Sequence, residues 1–117
     1  MDFSEARKMM VINQLKPNNI KNDAILDLFM NVSKDSFLPD EKRSFAYSDN
    51  EIHLIKDRYY LSNLQIAKMI NFSNFDKSDK VLHIGALTGY VSMLISKLVS
   101  KVIAIESDID LYDQLIK

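Results

Sequence analysis

A chain of 117 residues is one domain's worth, long enough for a hydrophobic core but short for a complete doubly wound α/β domain. Its 15 basic and 16 acidic side chains leave a formal charge of -1, which gives no electrostatic ground for a nucleic-acid or anionic-membrane partner. With no Cys, disulfides and thiolate zinc sites are excluded, in keeping with a reducing compartment. The N-terminal Met1-Asp2-Phe3-Ser4-Glu5 lacks the basic-then-apolar profile of a secretory signal, and no apolar run nears the roughly 18 residues of a membrane span. A cytoplasmic protein with no membrane and no nucleic-acid partner is therefore expected.

In chain order, Asp2 and Glu5 have capping-box-like spacing ahead of Ala6, Met9, Met10, Ile12 and Leu15. They predict a first helix that stops at Lys16-Pro17-Asn18-Asn19. A second helix, capped by Asn22 or Asp23, carries Ile25, Leu28, Phe29 and Val32 at i, i+3, i+4 and i+7, one buried stripe. Ser33-Lys34-Asp35-Ser36 interrupts it, and Pro39 disfavours helix at Leu38, so an extended or turn segment follows. Residues 40–50 read as a polar loop holding Ala46-Tyr47-Ser48-Asp49, and 51–61 as a short strand or irregular segment. The basic pairs Arg7-Lys8 and Lys42-Arg43 read as solvated faces, and Lys56-Asp57-Arg58 as a solvated turn.

Ser62 and Gln65 form a capping box ahead of Ile66, Ala67, Met69 and Ile70, which predicts a third helix. After a polar turn, residues 81–84 are too short and too apolar for anything but a buried parallel strand or a turn of core helix, and the flanking Gly85 favours strand. Gly85 and Gly89 are the only glycines of the sequence. Thr88 is placed to cap a helix carrying Val91, Leu94, Ile95 and Leu98. A second strand, 102–105, ends at Glu106, and Ser107 with Asp110 opens a last helix through Leu111, Tyr112 and Leu115.

The strand, glycine turn, helix and second strand make a βαβ unit whose closing acid lies about where a nucleotide ribose would sit. The fold class is thus α/β, with a helical and loop region over 1–60 and the first βαβ unit of a Rossmann-like sheet over 61–117, truncated at Lys117. Two parallel strands alone leave open edges. The missing strands come either from a longer chain or from another copy or partner, which makes a homo-oligomer covering those edges one expectation.

Five segments then carry a resemblance. Val32-Ser33-Lys34-Asp35-Ser36-Phe37-Leu38-Pro39 resembles the V-P-R-E-x-F-V-P segment of the protein-L-isoaspartate O-methyltransferases, and Ala46-Tyr47-Ser48-Asp49 their A-Y-x-D. Leu61-Ser62 stands at the I-S of G-Q-T-I-S. Val81-Leu82-His83-Ile84-Gly85-Ala86-Leu87-Thr88-Gly89-Tyr90 resembles V-L-E-I-G-T-G-S-G-Y, and Val102-Ile103-Ala104-Ile105-Glu106 the strand that ends in the ribose-binding Glu. The chain is similar to the N-terminal half of that family.

The resemblance implies S-adenosylmethionine as cofactor and an isoaspartyl-containing protein or peptide as substrate, methylated for protein repair. It implies that Gly85, Ala86 and Gly89 line the cofactor loop, that Glu106 receives the ribose hydroxyls, and that Ser62 is the catalytic hydroxyl near the reacting carboxylate. No metal is implied. Simpler roles stand beside these: Ser62 as an N-cap, the glycines as a tight turn, Glu106 as an exposed carboxylate at a strand end, and His83 as a partly buried core residue.

The chain also departs from the pattern. His83 stands where the family has an acid, Leu87 replaces the middle glycine, and no glycine occurs between Ala46 and Ser62, where the family has its substrate loop. These departures and the missing second half predict that the 117 residues are inactive alone. Two alternatives remain open: an inactive relative serving as an interaction or oligomerising module, and a different Rossmann-like nucleotide binder.

Overall fold

The computed structural model describes residues 2–116. The chain divides into two compact units, Met1–Ser73 and Asn74–Lys117. In the first, α1 (Phe3–Met10) begins at Asp2, whose Oδ1 accepts the Glu5 amide at 3.1 Å. The helical run continues through a π turn (Val11–Leu15) and a 3-10 turn (Lys16–Asn18), and ends where Asn19 takes a left-handed φ of 71°. Met10, Val11 and Leu15 are buried, whereas Met9 and Ile12 of the expected apolar surface are exposed. α2 (Asp23–Asn31) is capped by Asn22, whose side-chain oxygen accepts the Ala24 and Ile25 amides at 2.9 and 3.4 Å. Its stripe is buried as the spacing predicts, with Leu26 added.

Two 3-10 turns follow, Lys34–Phe37 and Asp40–Phe45, separated by Leu38 in the extended conformation that Pro39 imposes. Regular turns thus occupy much of what the composition marks as loop. β1 (Ile52–Ile55) and β2 (Arg58–Tyr60) form an antiparallel hairpin in which Ile52 pairs with Tyr60 and His53 with Tyr59. Lys56 turns the corner at φ 53°. α3 (Asn63–Ser73) opens on the capping box read from the sequence: Ser62 Oγ accepts the Gln65 amide at 3.3 Å, and Gln65 Oε1 accepts the Ser62 amide at 3.1 Å. Ile66, Ala67 and Ile70 are buried, Met69 is not, and α3 packs on α2 and on the π turn. That packing places α3 in the first unit, whereas the sequence reading set it at the head of the second domain.

In the second unit β3 (Lys80–Ile84) and β4 (Lys101–Ile105) are parallel, with Leu82 opposite Ile103, His83 opposite Ala104 and Ile84 opposite Ile105. α4 (Tyr90–Ser96) joins them and packs on β4, and α5 (Ile109–Leu115) follows. Three expectations need correction. The strands are not buried on both faces, since Leu82, Ile84, Ile103 and Ile105 are exposed and Ile84 keeps 72% of its surface. Gly89, not Thr88, holds the N-cap position of α4, at φ 101°. Asp108, not Ser107, caps α5, accepting the Asp110 and Leu111 amides at 3.0 and 3.2 Å.

Candidate functional site

The turn after β3 is built from backbone that only some residues tolerate. Gly85 and Gly89 take φ values of 77° and 101°. Leu87 between them takes 57°, which costs a side chain roughly 1–2 kcal/mol over glycine. The turn keeps its left-handed shape despite the substitution. The Gly85 and Ala86 amides both donate to the Ile105 carbonyl, at 2.8 and 3.0 Å, and the Gly89 amide donates to the Ala86 carbonyl at 3.1 Å. The loop is thereby tied to the end of β4, beside Glu106.

Glu106 is 7% exposed, which overturns the reading of an exposed carboxylate at a strand end. Its Oε1 accepts the Leu87 amide at 2.8 Å and its Oε2 the Asp108 amide at 2.9 Å. Such charge-assisted bonds repay the cost of burying the carboxylate and fix its plane. Each carboxylate oxygen has two lone pairs, so one backbone bond apiece is compatible with a further hydroxyl donor. The glycine turn, Ala86 and Glu106 therefore form one constellation, and the Leu87 amide joins it.

His83 is half-buried, with Nδ1 2.6 Å from the Ser92 hydroxyl of α4. Burial lowers its pKa below the ordinary 6.5, against a smaller opposing pull from the Glu106 charge, so the imidazole is neutral at pH 7. Among the described residues no group of three or more His, Cys, Asp or Glu side chains is gathered that could hold a metal ion.

Ser62 belongs to the first unit. Its hydroxyl donates to Gln65 Oε1 at 3.1 Å while accepting the Gln65 amide, so both halves of its bonding are engaged at the start of α3. Next to it lies a network that sequence reasoning missed. Lys34 is fully buried, with Nζ donating to Asn63 Oδ1 at 2.8 Å and lying 5.4 Å from the centre of the Tyr60 ring, and Asn63 donates to the Ala46 carbonyl at 3.0 Å. Burial lowers the Lys34 pKa from 10.5 to about 7.

Arg7, expected on a solvated face, is instead largely covered. It donates to the Met30 carbonyl at 2.7 Å, to Ser33 Oγ at 2.9 Å and to Tyr47 Oη at 3.3 Å, and lies 3.7 Å from Asp35, which accepts from Tyr47 at 2.6 Å. Two of the five segments that carry the resemblance, 32–39 and 46–49, thus meet in the first unit as structural ties. The available signal was Lys34 standing where the family pattern has a cation.

Comparison with known proteins agrees with this geometry. The family model for protein-L-isoaspartate(D-aspartate) O-methyltransferase matches residues 6–117. The protein-L-isoaspartate O-methyltransferase of Roseiflexus sp. (strain RS-1) is 32% identical over 106 residues, 91% of this chain and 48% of that protein. The one from Petrotoga mobilis is 30% identical over 106 residues, 91% of this chain and 50% of that protein. The chain therefore spans about half the length of the curated relatives it matches.

Among solved structures, a protein-L-isoaspartate O-methyltransferase superposes with a TM-score of 0.78 at 22% identity, over 95% of this chain and 37% of that one. A Plasmodium falciparum homologue, solved in complex with S-adenosyl-L-homocysteine, does so with 0.75 at 16% identity, over 94% and 53%. These two likenesses bear on the fold, a partial Rossmann-like α/β arrangement. With the family match running from residue 6 to 117 and the glycine turn, Ala86 and Glu106 gathered at one strand end, the chain belongs to the protein-L-isoaspartate(D-aspartate) O-methyltransferase family.

Proposed function

We propose that the second unit is the cofactor-binding start of a methyltransferase that uses S-adenosylmethionine to esterify isoaspartyl carboxylates of damaged proteins, in the cytoplasm. The observation that carries this reading is Glu106: a carboxylate 7% exposed, held by the amides of Leu87 and Asp108 at the mouth of the glycine turn. A carboxylate so fixed suits vicinal hydroxyls, and the left-handed backbone at Gly85 and Gly89 suits close approach of a ligand. Support also comes from the Plasmodium falciparum homologue in complex with S-adenosyl-L-homocysteine.

When bound, S-adenosylmethionine supplies an electrophilic methyl group carried on a sulfonium. The chain's own part is alignment. Glu106 receives the ribose hydroxyls, and the turn through Gly85, Ala86 and Gly89 presents backbone to the ligand. Holding two reactants in register is worth as much as roughly 7–11 kcal/mol of barrier. Ser62 is assigned the substrate carboxylate, to which its hydroxyl donates after leaving Gln65.

Calorimetric titration with S-adenosylmethionine tests the reading. Saturable binding is expected, weakened at least about tenfold in Glu106→Ala, the range for losing a charged acceptor. Silence in a sample that circular dichroism reports as folded would overturn it for this chain. A second reading, an interaction or oligomerising module without cofactor, draws on the exposed row Leu82, Ile84, Ile103 and Ile105.

A further inference from the structure

We propose that Lys34 is the positioning residue for Ser62: from the interior of the first unit it holds the two residues that flank Leu61-Ser62, and so sets where the Ser62 hydroxyl meets a substrate carboxylate. The inference rests on the role given to Ser62 above and deepens it, by naming the side chain through which that hydroxyl is placed.

Leu61-Ser62 is a short link between β2, which ends at Tyr60, and α3, which begins at Asn63. Both ends of the link are buried, Tyr60 at 1% exposure and Asn63 at 0%, whereas Leu61 and Ser62 are half-buried. Lys34 touches both ends. Its Nζ donates to Asn63 Oδ1 at 2.8 Å and lies 5.4 Å from the centre of the Tyr60 ring. Asn63 in turn donates to the Ala46 carbonyl at 3.0 Å, so its amide group is fixed from two sides. One buried side chain thereby joins the segments 32–39 and 46–49 to the position next to Ser62.

Locally the hydroxyl is oriented by Gln65, whose Oε1 accepts from Ser62 Oγ and from the Ser62 amide, both at 3.1 Å. Gln65 is exposed, and a solvated glutamine is a soft anchor, because its rotamers stay open and water competes for its bonds. The firm reference for the hydroxyl is the backbone of residues 60–63, gripped from within by Lys34. An ammonium is expensive to bury where a methionine of similar length is not. What the lysine adds is the directional bond to Asn63. A neutral amine donates that bond as well, so the link does not depend on the lysine's protonation state.

A short peptide carrying one isoaspartyl residue, titrated calorimetrically into the 117-residue chain, reads the placement of the hydroxyl. The wild type is expected to bind it. Ser62→Ala and Lys34→Met should each weaken binding about tenfold, the lower range for one hydrogen bond to a charged group. The double variant decides. If Lys34 acts through Ser62, Lys34→Met adds no further loss once Ser62→Ala is in place, whereas a general support of the fold gives additive losses. Asn63→Ala, which severs the link from its other end, replaces Lys34→Met should circular dichroism show that variant unfolded.

Additive losses, or a Lys34→Met affinity equal to the wild type's, overturn the inference and leave the role of Ser62 standing. A Ser62→Ala affinity equal to the wild type's, or no binding by a folded wild type, overturns that role and the inference with it.

Discussion

Lys34 lies at 0% exposure with its ammonium facing Asn63 Oδ1 and the Tyr60 ring. Holding an ammonium out of water in such a place is expensive, which is why burial draws the pKa down to about 7. The unfolded chain holds that proton up to the ordinary 10.5, so between about 7 and 10.5 it binds more protons than the native state. Stability therefore rises with pH across that window, is fully gained above it, and is lost as the pH falls back toward 7. At about 1.4 kcal/mol per pH unit the effect amounts to a few kcal/mol. Urea melts at pH 7, 8 and 9 should show this slope, and Lys34→Met should flatten it while raising stability at pH 7; parallel wild-type and variant curves would refute the assignment. Glu106 is the converse case, a buried carboxylate that accepts a backbone amide at each oxygen. In Glu106→Gln one amide group must face a backbone N–H as a second donor, so one of the bonds to Leu87 and Asp108 breaks. A loss of about 1–3 kcal/mol is expected, seen as faster hydrogen exchange at one of those two amides and not at the Gly85 amide, which bonds Ile105.

At the scale of elements, the capping interactions decide where helices begin. Ser62 illustrates how one residue serves local structure whether or not it serves chemistry. Ser62→Ala should cost about 1 kcal/mol in urea denaturation through the lost bond to the Gln65 amide, while Ser62→Asn, which retains a capping oxygen, should stay within a few tenths of the wild type. If both variants were equally destabilised, the cap would not be what the hydroxyl provides. The caps at Asp2, Asn22 and Ser62 were legible because each is a side chain answering an amide two or three residues on, a relation wholly contained in sequence. Where position depends on backbone path, legibility ended. Val11–Leu15 has the composition of any α-helical turn, yet winds as a π turn. Thr88 has the right chemistry to cap α4, but the turn spends its left-handed residues such that Gly89 arrives at that place. Arg7 looks solvated in the sequence, since what covers it comes from residues 23 to 40 positions away.

For the molecule as a whole, the βαβ order was readable from a four-residue apolar run, two glycines and a second run, because parallel strands joined by a helix need that pattern. Their exposure was not, since apolar sequence states what a strand can bury and not what is present to bury it. Register makes the consequence specific: Leu82 stands beside Ile103 and Ile84 beside Ile105, so the four exposed side chains form one contiguous patch on a two-stranded sheet with open edges. A formal charge of -1 offers almost no repulsion between copies. We expect such a surface to be covered by a second copy, giving an assembly larger than a monomer by light scattering at concentrations of about 50 μM, where contacts of micromolar strength are populated. Ile84→Lys combined with Ile103→Lys places two ammonium groups in the patch without touching the part-buried face that carries Val81, His83, Val102 and Ala104. The double variant should therefore run as a monomer with unchanged circular dichroism. A monomeric wild type, or a variant that assembles as before, would place the cover elsewhere and remove the ground for the module reading.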